Sequence, residues 1–382
     1  MKFRLEWMIL AVAFLMTFSF FFALQSYPPA IPQVMEEFGL SHAEAGTLMS
    51  LVNLAGIFLA LPAGMLSFRW GLRRVGALSL VICCAGSLIT FLGTSFPQLA
   101  VGRTILGIGG AMTIVSGFSM VPLWFPKERG GMAMGIKALD LPIATVLALN
   151  LLPYVVAGYG WRTCFAISTA LLLAATFAFL LLFREKPNEN EKEKESAFSG
   201  LRNGQMWLLG LVWGLISTAT LSYTTWAGPF FIEVRNVPTN LAFFMGSITY
   251  ITLIVLNPLI GTLSDRSDRR KAFIMASTAL MGCAYALISS LSVPLLFLPV
   301  AMLGLSTFYA PPLFASVSEI LPKERASLGF SILFTCSFAG YFVGPTLVGY
   351  TKDLFPSGGP SFLTMAVFCF LALLCAGRLK TR

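Results

Sequence analysis

Charge is what this sequence has least of. Lys, Arg, Asp and Glu together make up only 11% of the 382 residues, where a soluble protein carries roughly a quarter. A buried core does not account for so large a deficit, so the surroundings expected for this chain are lipid. Histidine is nearly missing as well. His42 is the single one, set in a short polar connector where it reads as a solvated surface residue, and one imidazole builds no metal cluster. The seven cysteines (Cys83, Cys84, Cys164, Cys283, Cys336, Cys369 and Cys375) all lie in apolar stretches, in odd number and without metal-ligand spacing. They read as small hydrophobes rather than as a disulfide framework or a zinc site. No nucleophile–base constellation occurs, so an enzyme is not expected and no cofactor is implied. Basic residues outnumber acidic ones by 26 to 17, but they are scattered singly through short loops. Without a basic stripe interleaved with aromatics, nucleic acid is set aside as a partner.

Apolar residues make up 57% of the chain, and Phe (34), Gly (34) and Pro (21) are used heavily, as membrane helices tolerate. Runs long enough to span a bilayer, about 20 residues each, fall roughly at 7–27, 45–67, 75–92, 96–124, 131–157 and 163–183. A mixed-charge stretch at 184–205 follows, then runs at 206–232, 241–264, 272–291, 294–318, 327–350 and 361–377. The first run, preceded by Lys2 and Arg4, is too long for a signal-peptide core and has no small-residue cleavage site after it. We read it as a retained membrane helix. The chain is thus an all-α polytopic membrane protein of twelve spanning helices. It has a six-helix half at 1–183, a solvated linker at 184–205 and a six-helix half at 206–382.

Lys and Arg set the orientation. With even helix counts in each half, 21 of the 26 basic residues fall on the side of the termini and the linker, while Arg162, Arg235 and Lys352 fall opposite. The termini are therefore expected in the cytoplasm, at the cell inner membrane. Two landmarks relate the halves. GMLSFRWGLRR at 64–74 returns as GTLSDRSDRRK at 261–271, an offset of 197 residues, and FPKER at 125–129 returns as LPKER at 321–325, offset by 196. Two nearly equal offsets point to parallel repeats.

The Gly-x-Leu-Ser-Asp-Arg-x-x-Arg-Arg pattern at 261–270 resembles the cytoplasmic-loop signature of the major facilitator superfamily. Arg103-x-x-x-Gly107-x-Gly109 is similar to that family's fourth-helix motif. The resemblance implies secondary active transport by alternating access, with a small-molecule substrate, protons as the coupling ion, the lipid bilayer as surroundings and a monomeric assembly. It also implies a cytoplasmic gate built from Gly64, Arg69 and Arg73 in the first copy and Gly261, Asp265, Arg266 and Arg269 in the second. In the family the loop aspartate sits at a helix N-terminus of the opposite half, which here would place Asp265 near Arg129. Phe68 stands where the first copy should carry its acid, so that copy is expected to be weaker or apolar.

Ionisable residues inside a span are costly and so are functional candidates. Three lie well inside: Arg103 in the fourth run, and Lys137 and Asp140 in the fifth. Spaced i, i+3, Lys137 and Asp140 can pair on one helical face. Either the pair titrates during transport, with Lys137 and Arg103 attracting an anion, or it is a neutralised structural pair. Weaker polar groups mark a path through the first, second, fifth, seventh, eighth and tenth runs: Gln25, Asn53, Asn150, Tyr223, Thr224, Thr225, Trp226, Tyr250, Asn257 and Tyr309. Each alone reads as an interfacial aromatic or interhelical hydrogen bond, and only the set is informative. The third, sixth, ninth and twelfth runs, with no charge or amide in their cores, should face lipid.

Gly135-Ile136-Lys137 followed by Pro142 resembles the cyanate, nitrate-like and organic-anion branches of the superfamily. The Gly-Pro-rich fifth-helix motif of drug–proton antiporters and the glycine-rich nitrate signature are missing. The expected activity is proton-coupled uptake of a small organic anion. The alternative is a proton-driven antiporter exporting a hydrophobic or cationic compound.

Overall fold

The computed structural model describes residues 2–125, 127–184, 203–267, 269–321 and 326–380, with backbone alone at 2–4, 60–61, 63–69, 122, 127–128, 130–131, 257–267, 318 and 326–328. Every regular element among them is helical: α1 (Lys2–Gln25), α2 (Tyr27–Phe38), α3 (His42–Trp70), α4 (Leu72–Phe91), α5 (Phe96–Trp124), α6 (Lys127–Lys137), α7 (Asp140–Tyr159) and α8 (Trp161–Leu182). They continue as α9 (Gly204–Glu233), α10 (Thr239–Ser267), α11 (Arg270–Ser290), α12 (Phe297–Leu305), α13 (Ala310–Ile320), α14 (Ala326–Leu354) and α15 (Gly359–Ala376). Eleven stretches among the described residues are long and apolar enough to cross a membrane, and α3, at 29 residues, completes the twelve expected from the sequence. Three spans are built from two pieces each: α1 with α2, α6 with α7, and α12 with α13.

Prolines make those interruptions. Pro28 and Pro29 sit in the first turn of α2, where the missing N–H costs nothing. The chain bends at Ser26 and runs on as helix to Phe38, further than the apolar run alone predicts. Pro311 and Pro312 open α13 in the same way, after a 3-10 turn at Ser306–Tyr309. The connections between some helices are minimal. Gly71, at φ 84°, is the single residue between α3 and α4, and Gly160, at φ 81°, the single residue between α7 and α8. An L side chain rarely adopts that backbone, so both turns require glycine.

The chain divides into two compact units, Met1–Leu40 with Leu51–Asn188, and Ser41–Ser50 with Glu189–Arg382. The expected linker falls almost wholly outside the described residues. In the first unit α4 lies along α5, and α1 packs against α5, α7 and α8. Lipid gives no hydrophobic drive between helices, so close approach through small residues takes its place. A Cβ on Gly86 would stand 2.2 Å from the Leu106 amide nitrogen, and one on Gly107 2.0 Å from the Val52 carbonyl. In the second unit α9 and α14 are the most intimate pair, and a Cβ on Gly340 would stand 2.2 Å from the Gly214 carbonyl. The Gly340–Gly344 spacing is thus a packing seam. Of the four runs expected to face lipid, α4, α8 and α15 present exposed apolar side chains such as Leu78, Val81, Phe177, Leu181, Val367 and Leu374, whereas Tyr285 of α11 is fully buried.

Candidate functional site

The fifth span carries a buried ion pair. Pro142 has no N–H, and its ring crowds the carbonyl four residues earlier, so the helix stops at Lys137 and restarts at Asp140. Sequence spacing predicts a pair on one continuous helical face. The structure instead places it across a break. The result is electrostatically favourable, because Lys137 lies at the negative C-terminal pole of α6 and Asp140 at the positive N-terminal pole of α7. Lys137 Nζ donates to Asp140 Oδ2 at 2.6 Å, with the two side chains 0% and 2% exposed. The Leu141 amide donates to Asp140 Oδ1 at 2.7 Å, and the Thr17 hydroxyl of α1 donates to Oδ2. On its other side Lys137 Nζ lies 4.0 Å from the centre of the Phe118 ring of α5. Gly117 lets this turn approach, since a Cβ there would stand 2.7 Å from Thr17 Cγ2 and 3.3 Å from Lys137 Cε. Each ion forgoes several kcal/mol of hydration. Pairing, hydrogen bonds and the two helix poles together offset that cost.

Arg103, also on α5 and fully buried, is anchored at the end of α1. Its two terminal nitrogens lie 3.4 Å from the carbonyl oxygens of Ala23 and Leu24, where a helix C-terminus favours a cation. The Tyr27 ring centre is 4.9 Å from the guanidinium carbon, at cation–π range. Gln25, in the same bend, is fully buried, and neither side-chain amide atom has a hydrogen-bond partner among the described residues. A buried amide left so is uncommon in native structures and marks a place where a ligand group could bind. Arg103, Lys137 and Asp140 carry a formal sum of +1.

The second unit offers a different surface. Trp213, Ser217, Thr220 and Thr224 of α9 follow i, i+4, i+7, i+11 spacing and so share one helical face. Three tyrosines from three other elements meet it by hydroxyl-to-hydroxyl pairing. Tyr341 of α14 meets Ser217 and Ser337, Tyr309 meets Thr220, and Tyr250 of α10 meets Thr224. Trp213 lies between Tyr309 and Phe314, at ring-centroid distances of 5.7 and 4.9 Å, and its buried indole N–H has no acceptor among the described residues. This face is uncharged, aromatic and rich in hydroxyls.

Other candidates sit elsewhere. Tyr223 donates to the Met245 carbonyl at 2.8 Å and packs on Tyr285 and Phe362, as core. Trp226 donates to the Pro345 carbonyl at 2.9 Å. Thr225 and Asn150 are turned back onto the carbonyls of their own helices, and Asn53 is buried in α3. The side chain of Asn257 lies outside what is described, as do those of Arg69, Asp265 and Arg266 and the surroundings of Gly64 and Gly261. Of the remaining gate residues, Arg73 donates to the Leu180 carbonyl at 3.3 Å and Arg269 is exposed at the start of α11. Its neighbour Arg270 pairs with Glu319 of α13 at 2.7 Å, tying the hairpin to the end of the tenth span.

Sequence reasoning did not single out Thr17, one hydroxyl in a Phe-rich run with no distinguishing pattern. Trp213, Ser217 and Thr220 were findable, because their spacing extends that of Thr224. His42 requires a correction. It is not a solvated surface residue, since its Nδ1 lies 2.7 Å from Asp353 Oδ1 and its side chain is only 23% exposed.

Comparison with known proteins agrees with this architecture. The family model for the Major Facilitator Superfamily matches residues 13–251 and 241–382. The "Nitrite extrusion protein" of Bacillus subtilis (strain 168) is 26% identical over 66% of this chain, and the match spans 64% of that relative's length. The "Probable nitrate/nitrite antiporter NarK1" of Thermus thermophilus is 22% identical over 89% of this chain and 83% of its own. The "Hexuronate transporter" of Escherichia coli (strain K12) is 24% identical over 60% and 58%, respectively. Among solved structures, a bacterial homolog to the human lysosomal transporter Spinster, in an inward-facing and occupied conformation, superposes with a TM-score of 0.82. That structure is 17% identical, covering 97% of this chain and 96% of its own. The fold, the paired six-helix organisation and the family match lead to one conclusion: the chain belongs to the Major Facilitator Superfamily of transporters.

Proposed function

We propose that this protein carries a small organic anion across the membrane together with a proton, and that the Lys137–Asp140 pair is the coupling element. The observation that carries this reading is the complete burial of that pair at a helix break. A buried carboxylate and ammonium neutralise each other, and removing either partner alone strands a charge at a cost of about 3–5 kcal/mol. Protonation of Asp140 frees the Lys137 ammonium, which then needs another anion. A substrate anion fills that need. Proton and anion therefore favour each other's binding, which is the thermodynamic requirement for symport. Thr17 and the Leu141 amide hold the carboxylate in place, and Arg103 adds the net positive charge that favours an anion over a cation. That charge balance disfavours export of a cationic compound, for which Asp140, already paired, would have to serve as the recognition group.

Relatives named for nitrate, nitrite and hexuronate fit an anion as substrate. The tyrosine–hydroxyl face supports an organic one, because an inorganic oxyanion makes little use of aromatic rings, whereas a hydroxylated carboxylate can pack its carbon skeleton on them and bond to the hydroxyls. The bias of Lys and Arg supports cytoplasmic termini in the cell inner membrane, and the expected working unit is a monomer. The relatives named for extrusion and antiport favour a second reading, in which one anion is exchanged for another without a proton. Uptake into proteoliposomes separates the two. Symport gives accumulation under an inward proton gradient with empty vesicles, and carboxylates compete while lipophilic cations do not. Exchange requires an anion preloaded inside and ignores the gradient. A transported lipophilic cation would overturn both.

A further inference from the structure

The second unit holds another group of charged side chains, far in sequence from the Lys137–Asp140 pair and not used by it. The segment Ser41–Ser50, which belongs to this unit, lies directly on α14. A Cβ on Gly46 would stand 2.3 Å from the Pro345 carbonyl, and one on Gly349 2.3 Å from the His42 carbonyl. Thr346 donates to Ser50 at 2.9 Å. His42 fastens the end of this seam. The Asp353 carboxylate of α14 accepts from the His42 amide at 2.9 Å and the Ala43 amide at 2.8 Å, capping α3, and it also faces His42 Nδ1 at 2.7 Å. His42 Nε2 faces Glu233 Oε2 of α9 at 3.5 Å, and that same oxygen accepts from Lys352 of α14. The His42 ring rests 5.6 Å from the Trp226 ring. On its own element the nearby acid is Glu44, which accepts from the Ser41 amide and hydroxyl.

We propose that His42 is a proton-binding site whose occupancy clamps segment 41–50 onto α14. Both ring nitrogens face carboxylate oxygens, and only the imidazolium has a hydrogen to offer each of them. A neutral ring would aim a lone pair at one carboxylate. Charge balance agrees, since Asp353, Glu233 and Lys352 sum to −1 and a protonated His42 brings the group to neutrality. Histidine is the side chain that changes charge within the physiological range. The sign follows directly: the clamp is held at acidic pH and loosens as the pH rises. His42 lies on the side opposite the basic loops, so, on the orientation proposed above, the clamp responds to the pH outside the cell.

Amide hydrogen exchange of segment 41–50 in the full-length protein tests this without any substrate. After correction for the intrinsic pH dependence of exchange, the wild-type segment should lose at least about threefold in protection from about pH 5.5 to about pH 8. In His42→Gln that segment should be equally exposed at both. Glu233→Gln, which leaves the Asp353 cap intact, should retain part of the protection at the acid end and show a smaller change across the range. Equal pH dependence in the wild type and both variants would overturn the proposal, as would greater wild-type protection at the alkaline end. Failure of anion uptake to couple to protons leaves this readout untouched, so the two readings are tested separately.

Discussion

At the scale of single residues, a structural ion pair and a coupling pair make different demands on Lys137 and Asp140. Lys137→Met strands a buried carboxylate and should lower stability by about 3–5 kcal/mol, read as an earlier thermal unfolding transition in detergent. The double variant Lys137→Met with Asp140→Leu removes both charges and should regain most of that stability, because a buried pair replaced by apolar groups is often neutral or better. If the pair is merely structural, the double variant also recovers transport. Our account predicts a stable protein that carries nothing. The charged residues of this site were legible in the sequence, because any ionisable side chain in an apolar run stands out against its cost. Their supports were not. Thr17 is an ordinary residue at an ordinary position, and only its placement opposite Asp140, 123 positions away, gives it a role. His42 misled for a related reason: a connector residue reads as solvated until its partners, Asp353 and Glu233, are brought to it by the fold.

At the scale of elements, the break between α6 and α7 follows from one proline. Pro142→Ala restores the missing donor and removes the ring, so α6 and α7 should join into a continuous helix. Joining them removes the helix poles that favour Lys137 and Asp140, worth about 0.3–1 kcal/mol each and more where buried. We expect thermal stability at or above the wild-type value and a lower turnover number at saturating anion. The element-level pattern was readable in advance only in part. Proline positions showed where spans are interrupted, but not that the first continues as far as Phe38 or that the interrupted fifth places opposite charges at opposite poles. Facing α9 from the 3-10 turn, Tyr309→Phe should raise the half-saturating concentration of a hydroxylated organic anion several-fold, as expected from one neutral hydrogen bond at about 0.5–1.5 kcal/mol. An inorganic oxyanion competitor should be unaffected. Equal effects on both would separate this face from substrate recognition.

At the scale of the whole molecule, the helix inventory was the most readable feature. Lipid admits only helices and closed barrels, apolar runs of about 20 residues select the helix, and composition alone identifies lipid as the solvent. The duplicated landmarks supplied the family resemblance, which the family match then bore out. The side chains proposed to recognise substrate are single residues on two separate faces, one in each unit, and composition carries no trace of them. The same division shapes the functional account, with the Lys137–Asp140 pair and Arg103 in the first unit and the hydroxyl-bearing rings around α9 in the second.

The most direct measurement is anion accumulation in proteoliposomes under an imposed inward proton gradient, comparing the wild type with Asp140→Asn. Wild-type vesicles should concentrate the anion above its outside level, with a rate that rises as the outside pH falls. Asp140→Asn should bind and exchange the anion yet reach only equilibrium, with no response to the gradient. Uphill accumulation by Asp140→Asn with an unchanged pH dependence would contradict the account.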